Sequence, residues 1–94
     1  MSIGNTDSTH DDRIAAVILD LCTKRGHRKT ICPSEAARAL TQDGNDWRAC
    51  MEDIRRVGAA LKSISRIQVT QSGKPVDPLT AKGPIRFQLA RGPA

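Results

Sequence analysis

Thr30-Ile31-Cys32-Pro33-Ser34-Glu35-Ala36-Ala37-Arg38-Ala39-Leu40 decides the fold of this chain. Its first three residues form a short extended piece. Pro33 then opens a helix, because proline is pre-organised for the first helical position, where its missing N–H would have been unpaired anyway. Glu35 sits in the first turn, where a carboxylate meets free amides. Ala36, Ala37, Ala39 and Leu40 make a short helix of small residues. Such a helix approaches its neighbours closely, as the first member of a helix-turn-helix pair must.

Downstream, the polar break Thr41-Gln42-Asp43-Gly44-Asn45 leads into one long amphipathic helix starting near Asp46. Trp47, Cys50, Met51, Ile54, Val57, Leu61 and Ile64 step by three and four and predict its buried stripe. Arg48, Glu52, Arg55 and Lys62 share the opposite side, flanked by Asp53 and Arg56. Gly58 costs about 1 kcal/mol of helix propensity against Ala, so another helix is expected to cross there. Ile67, Val69, Ile85, Phe87 and Leu89 alternate with polar residues, the period of half-buried strands over 67–70 and 85–89. The connection 72–84 holds Gly73, Pro75, Pro78, Gly83 and Pro84. It is too long for a tight hairpin turn and predicts an extended wing.

Upstream, Ile14, Val17, Ile18, Leu21 and Cys22 predict a first helix with one buried stripe. Asp11 and Asp12 complement its N-terminal dipole, and Lys24 and Arg25 its C-terminal end. Gly26 is placed to end it. The pattern as a whole is α+β: a winged helix-turn-helix of three helices plus a small antiparallel β-sheet with a long wing loop. Residues 11–90 are read as that domain, 1–10 as a disordered N-terminal tail and 91–94 as a short C-terminal tail. The polar, acidic N-terminus resembles neither a signal nor a transit peptide. No apolar run approaches the length of a membrane span. Three cysteines, an odd number without a C-x-x-C, suit a reducing cytoplasm.

Charge is unevenly spread. Residues 1–23 hold four aspartates against Arg13, a net of −3, whereas from Lys24 onward 14 basic residues face 6 acidic ones, a net of +8. A cationic surface attracts polyanions through Coulomb steering and counterion release. Three groups of residues are candidates for such contacts. The first is Lys24-Arg25 and Arg28-Lys29, with His27 among them, beside the first extended piece. The second is Arg48, Arg55 and Arg56 on the third helix, long enough to reach base edges or phosphates. The third is Lys74 and Lys82 on the wing, with Arg86 on its returning strand.

Plainer readings stand beside these. The 24–29 cluster also caps and solvates the first helix. Arg48 with Glu52, and Glu52 with Arg56, are i,i+4 pairs that stabilise a helix by a few tenths of a kcal/mol. Arg86 has Asp77 as a candidate partner. Cys32, at a helix N-terminus, is a candidate reactive thiol, against the commoner half-buried thiol before a proline. Trp47 reads as a core anchor. His10 and His27 join no catalytic triad, and the cysteines and histidines lack ligand spacing, so neither an enzyme, a cofactor nor a metal is expected.

Three motifs occur together: the 30–40 stretch, Trp47-Arg48 with Met51 and Arg55, and Gln71-Ser72-Gly73-Lys74-Pro75-Val76-Asp77 with Lys82-Gly83-Pro84-Ile85-Arg86. In order and spacing they resemble a small, mostly bacterial family of winged-helix-like domains of unknown function, over residues 12–89. The resemblance implies a winged-helix fold in a bacterial cytoplasmic protein, and no catalytic or ligand residues. The expected partner is double-stranded DNA, held mainly through phosphates. The alternative is a protein-protein interaction module on the same scaffold. Neither involves a membrane.

Overall fold

A computed structural model describes residues 6–26, 29–41 and 47–90. The element order is α1 (Thr6–Arg25), α2 (Pro33–Thr41), a 3-10 turn (Trp47–Cys50), α3 (Met51–Ser63), β1 (Ile67–Gln71), β2 (Lys74–Pro75) and β3 (Arg86–Leu89). Three helices pack on a three-stranded antiparallel sheet of order β2-β1-β3. This is an α+β fold, and the arrangement is compatible with a winged helix. Residues 27–28 and 91–94 lie outside the described residues, so the C-terminal tail does too.

Helix α1 starts at Thr6, so half of the stretch read as tail is helical. Ile14, Ile18 and Cys22 form its fully buried line. Val17 and Leu21 are only half-buried and rim a shallow groove with Ala39 of α2. Gly26 ends the helix at φ +107, and its N–H donates to the Cys22 carbonyl, the left-handed cap that glycine accepts without a Cβ penalty.

The extended piece before α2 shrinks to one bridge: the Ile31 and Phe87 amides each donate to the other's carbonyl along the free edge of β3. Pro33 is buried at the head of α2. The Glu35 N–H donates to the Cys32 carbonyl, and its carboxylate accepts from the Cys32 N–H at 2.9 Å, as a first-turn acid does in a capping box.

Helix α3 is preceded by a 3-10 turn rather than starting as an α-helix near Asp46; residues 42–46 lie outside the described part. Ile54, Val57 and Leu61 are buried as expected, whereas Trp47, Cys50 and Met51 are half-buried and Ile64 is 63% exposed. Ile64 falls out of the stripe because the helix ends at Ser63. Ser65 adopts φ +63, its N–H donates to Lys62, and the Arg66 N–H donates to Leu61. That bond pair is a Schellman stop with serine where glycine usually stands.

What crosses at Gly58 is a strand, not a helix. A Cβ there would lie 2.7 Å from the Phe87 Cζ atom. The wing also differs from expectation. A two-residue turn, Ser72-Gly73, both with positive φ, closes a tight hairpin between β1 and β2. Pro75 sits on the outer edge strand, where no ladder partner needs its missing N–H. The longer connection runs on from β2 to β3.

Candidate nucleic-acid interface

The sequence-predicted cations meet different fates, and the fold decides which. Arg25 ends α1 beside the start of α2. It pairs with Glu35 and donates to the Thr30 carbonyl at 2.9 Å. Arg86, reaching from β3, donates to the Thr30 hydroxyl at 2.8 Å. Its expected partner Asp77 instead accepts from the Leu79 N–H within its own turn. Both arginines therefore tie the 30–32 segment in place. Burial pushes the Glu35 carboxyl upward, but the Cys32 amide, the Arg25 guanidinium and the charge of Arg86 more than offset it and hold the group below its usual value.

Lys24 pairs with Asp20 one turn away at 3.1 Å, in a solvent-exposed bridge worth little. Lys29 is exposed, with no anionic partner among the described residues. Arg28 and His27 lie outside the described residues.

Arg55 and Arg56, adjacent in sequence, leave α3 on different flanks. Arg55 donates to three loop carbonyls, Pro78 at 3.3 Å, Ala81 at 2.8 Å and Gly83 at 2.7 Å. It pins the connection between β2 and β3 onto the helix. Arg56 forms a two-pronged bridge to Asp11 on α1, at 2.7 and 2.8 Å, and a third contact with Asp53 at 3.2 Å. The Arg56 hydrogen bonds hold the Asp11 carboxyl below the usual range against a smaller opposing effect of burial. His10 on α1 also meets Asp53, at 3.4 Å. Neither arginine is available as an unpaired base-reading side chain.

Arg48 does not pair with Glu52, the i,i+4 partner expected from the sequence. Its guanidinium carbon lies 4.5 Å from the centroid of the Trp47 ring. Arg38, from the last turn of α2, lies 4.6 Å from the same centroid. Trp47 is half-buried against the core, so one of its roles is the expected anchor. The other, as a seat for two cations, was missed. Its only sequence signal is a lone tryptophan flanked by arginines across a polar break.

Lys74 on the hairpin and Lys82 in the connection from β2 to β3 are exposed without anionic partners among the described residues. Lys74 and Arg86 line one shallow groove, together with Gln71, Val76 and Pro84. Of the ten predicted cations, four serve internal acceptors, Lys24 is weakly paired, Arg28 is undescribed, and Lys29, Arg48, Lys74 and Lys82 remain without anionic partners among the described residues.

Cys32 is half-buried, and its sulfur accepts the Ser34 hydroxyl at 3.1 Å. Cys22 is buried, which pushes its thiol up to about 11, assisted by the charge of Glu35. Among the described residues no group of three or more His, Cys, Asp or Glu is placed to hold a metal ion. No described helix is long and apolar enough to cross a membrane.

Residues 11–90 match a family profile described as "Protein of unknown function (DUF3253)", and the chain belongs to that family. No curated protein matches the chain.

Proposed function

We propose that this protein is a small winged-helix module that binds double-stranded DNA, chiefly through phosphates and with modest sequence preference. The observation that carries this reading is a set of cations without carboxylates. Lys74 and Lys82 on the hairpin and its loop, Arg38 and Arg48 at the helical junction, and Lys29 have no anionic partner among the described residues. Arg25 and Arg56, by contrast, are neutralised by carboxylates. Exposed, unpaired cations release counterions from a duplex at little desolvation cost. Phosphate contact is favoured over base reading because Arg55 and Arg56 are engaged, and Glu52 and Asp53 line the same helix. The three free cysteines suit a reducing cytoplasm.

Fluorescence anisotropy of a labelled duplex at two salt concentrations tests the reading. Binding is expected at low salt and is expected to weaken steeply as salt rises. Lys74→Ala with Lys82→Ala should lower the slope of log affinity against log salt by about 2. No binding at low salt, or binding indifferent to salt, defeats the proposal.

One observation favours a second reading, a protein-interaction module. Ile64 is 63% exposed at the end of an apolar groove between α1 and α3 that includes Ala15 and Ala60. Under that reading a protein is retained in pull-downs after nuclease treatment, and Ile64→Asp releases it.

A further inference from the structure

We infer that Arg38, Trp47 and Arg48 form a phosphate-binding site at the junction of the second and third helices. The inference rests on the polyanion-binding reading and names where one phosphate group is held.

Arg38 and Arg48 lack the protein acceptors that tie down four of the other arginines. Arg25, Arg55, Arg56 and Arg86 all donate hydrogen bonds to protein oxygens. Arg38 and Arg48 donate none among the described residues, and neither meets a carboxylate there. Both are exposed, yet neither is a loose surface side chain, because each guanidinium is seated on the indole. Stacking engages the flat face of a guanidinium and leaves its N–H edge pointing away from the ring. That edge is the fork that matches two phosphate oxygens.

The seat itself is fixed. Trp47 packs against the hydrophobic core, so the ring position follows the fold rather than solvent. Both guanidinium carbons lie within 4.6 Å of one centroid, which keeps the two charges at most about 9 Å apart. Two cations held this close repel each other until an anion arrives, and both then gain. The ring contact restricts both chains and so reduces the side-chain entropy lost on binding. The site differs in kind from the wing lysines, which are solvated point charges on flexible stems.

The chemistry recognised is a phosphate group, either of a duplex backbone or of a free ion. Trp47 is the protein's single tryptophan, so its emission reads this site alone. Full-length protein is titrated with a short duplex and, separately, with inorganic pyrophosphate. The duplex is expected to change Trp47 emission at the same midpoint as the anisotropy of the labelled duplex. Arg38→Ala and Arg48→Ala should each weaken duplex binding about tenfold at low salt and lower the salt slope by about 1. Arg38→Lys keeps the charge, loses the fork, and should recover only part of the affinity. Circular dichroism melts of each variant show whether the fold is intact, and the lysine variant keeps the test decisive if an alanine variant unfolds.

A pyrophosphate response abolished in the double variant shows that the site accepts a free phosphate ion. A response to duplex alone shows that it needs the backbone array. Both outcomes support the site. If the wild type binds duplex with unchanged emission, and the double variant binds equally well, the site is refuted while the DNA reading stands. If the wild type does not bind duplex, the DNA reading fails. The site then survives only through a pyrophosphate response that requires both arginines.

Discussion

Arg48 and Arg56 occupy one continuous helical stretch, yet one flank of that stretch is electrically closed and the other open. At the closed flank, Arg56 is held by Asp11 and Asp53, with His10 close by. At the open end, Arg48 shares an indole with Arg38 and meets no carboxylate among the described residues. The difference lies in what the fold brings alongside. The second turn of α1, with Asp11, runs beside the Arg56 flank and supplies its counter-charge. The Arg48 end faces a helix whose nearest contribution is another cation. A helical arginine is therefore structural or available according to its non-local neighbour, and the helix sequence alone does not distinguish the two cases.

Both flanks depend on α3 being seated against β3, and the largest effect is expected where that seat is tightest. In Gly58→Ala the new methyl would meet Phe87 at 2.7 and 2.9 Å, and Phe87 is fully buried, so the ring has nowhere to swing. The helix gains about 1 kcal/mol in propensity but should lose more to overpacking, for a net destabilisation of about 1–2 kcal/mol. Thermal melting should show a drop of about 5–10 °C for a domain of this size. Trimming the ring with Phe87→Leu should make the alanine less costly than it is alone. An unchanged melting temperature for Gly58→Ala would mean that the two elements slide apart freely, and the contrast between the flanks would lose its frame.

Arg55 gives the next test, because it uses its charge for architecture without a carboxylate among the described residues. Arg55→Ala leaves three carbonyls of the 78–83 loop without their donor. Partial exposure lets water replace much of what is lost, so the expected cost is about 1 kcal/mol. Hydrogen exchange should accelerate in that loop and stay unchanged in α1. Arg56→Ala should do the reverse, loosening the start of α1 while leaving the loop protected. Equal effects on both segments would erase the division of labour between these neighbours.

The closed contacts should also be sensitive to acid. Glu35 and Asp11 are held below their ordinary values of 4.5 and 3.8. A carboxyl whose folded value is depressed contributes stability that is fully present above its unfolded value and is lost as pH falls through the folded one. Stability should thus be level down to about pH 5 and decline below about pH 4.5. Asp11→Asn should lower stability at neutral pH and flatten the decline. Arg38 and Arg48 have no such carboxylate contact among the described residues, so their variants should leave the acid limb unchanged. A melting series between pH 3 and 7 reads both.

How much of this was legible beforehand follows the range of each contact. The start of α2 was readable from Pro33 and Glu35, because the Cys32–Glu35 bonds are local. The Gly26 stop was readable for the same reason. Alternation marks the strands in the sequence, but the tight Ser72-Gly73 turn is masked by the following Lys74-Pro75, which has the composition of a loop and the position of an edge strand. A close approach at Gly58 was legible, though not that a phenylalanine from β3 makes it. The roles of the arginines were not legible. The Arg56 partner lies 45 residues away in sequence, and those of Arg55 lie 23 to 28 away. Helical spacing offered Glu52 to both Arg48 and Arg56, and the folded chain gave each a better partner.

That leaves Glu52 itself, and with it the smallest and most discriminating effect. It is exposed one turn beyond Arg48, and no cation pairs with it among the described residues. A phosphate approaching the open end of the helix meets this carboxylate as a like charge. Glu52→Gln should therefore tighten duplex binding roughly threefold at low salt, with the gain shrinking as screening rises. Stability should move by no more than about 0.5 kcal/mol, as for a surface change that breaks no contact. Asp12→Asn provides the matched control: an exposed carboxylate on α1, beside the closed flank, whose removal changes net charge equally. If both substitutions tighten binding to the same degree, the duplex responds to total charge, and the open end has no special standing. If only Glu52→Gln does so, the phosphate passes close to Arg48, and the asymmetry between the two flanks extends from structure to binding.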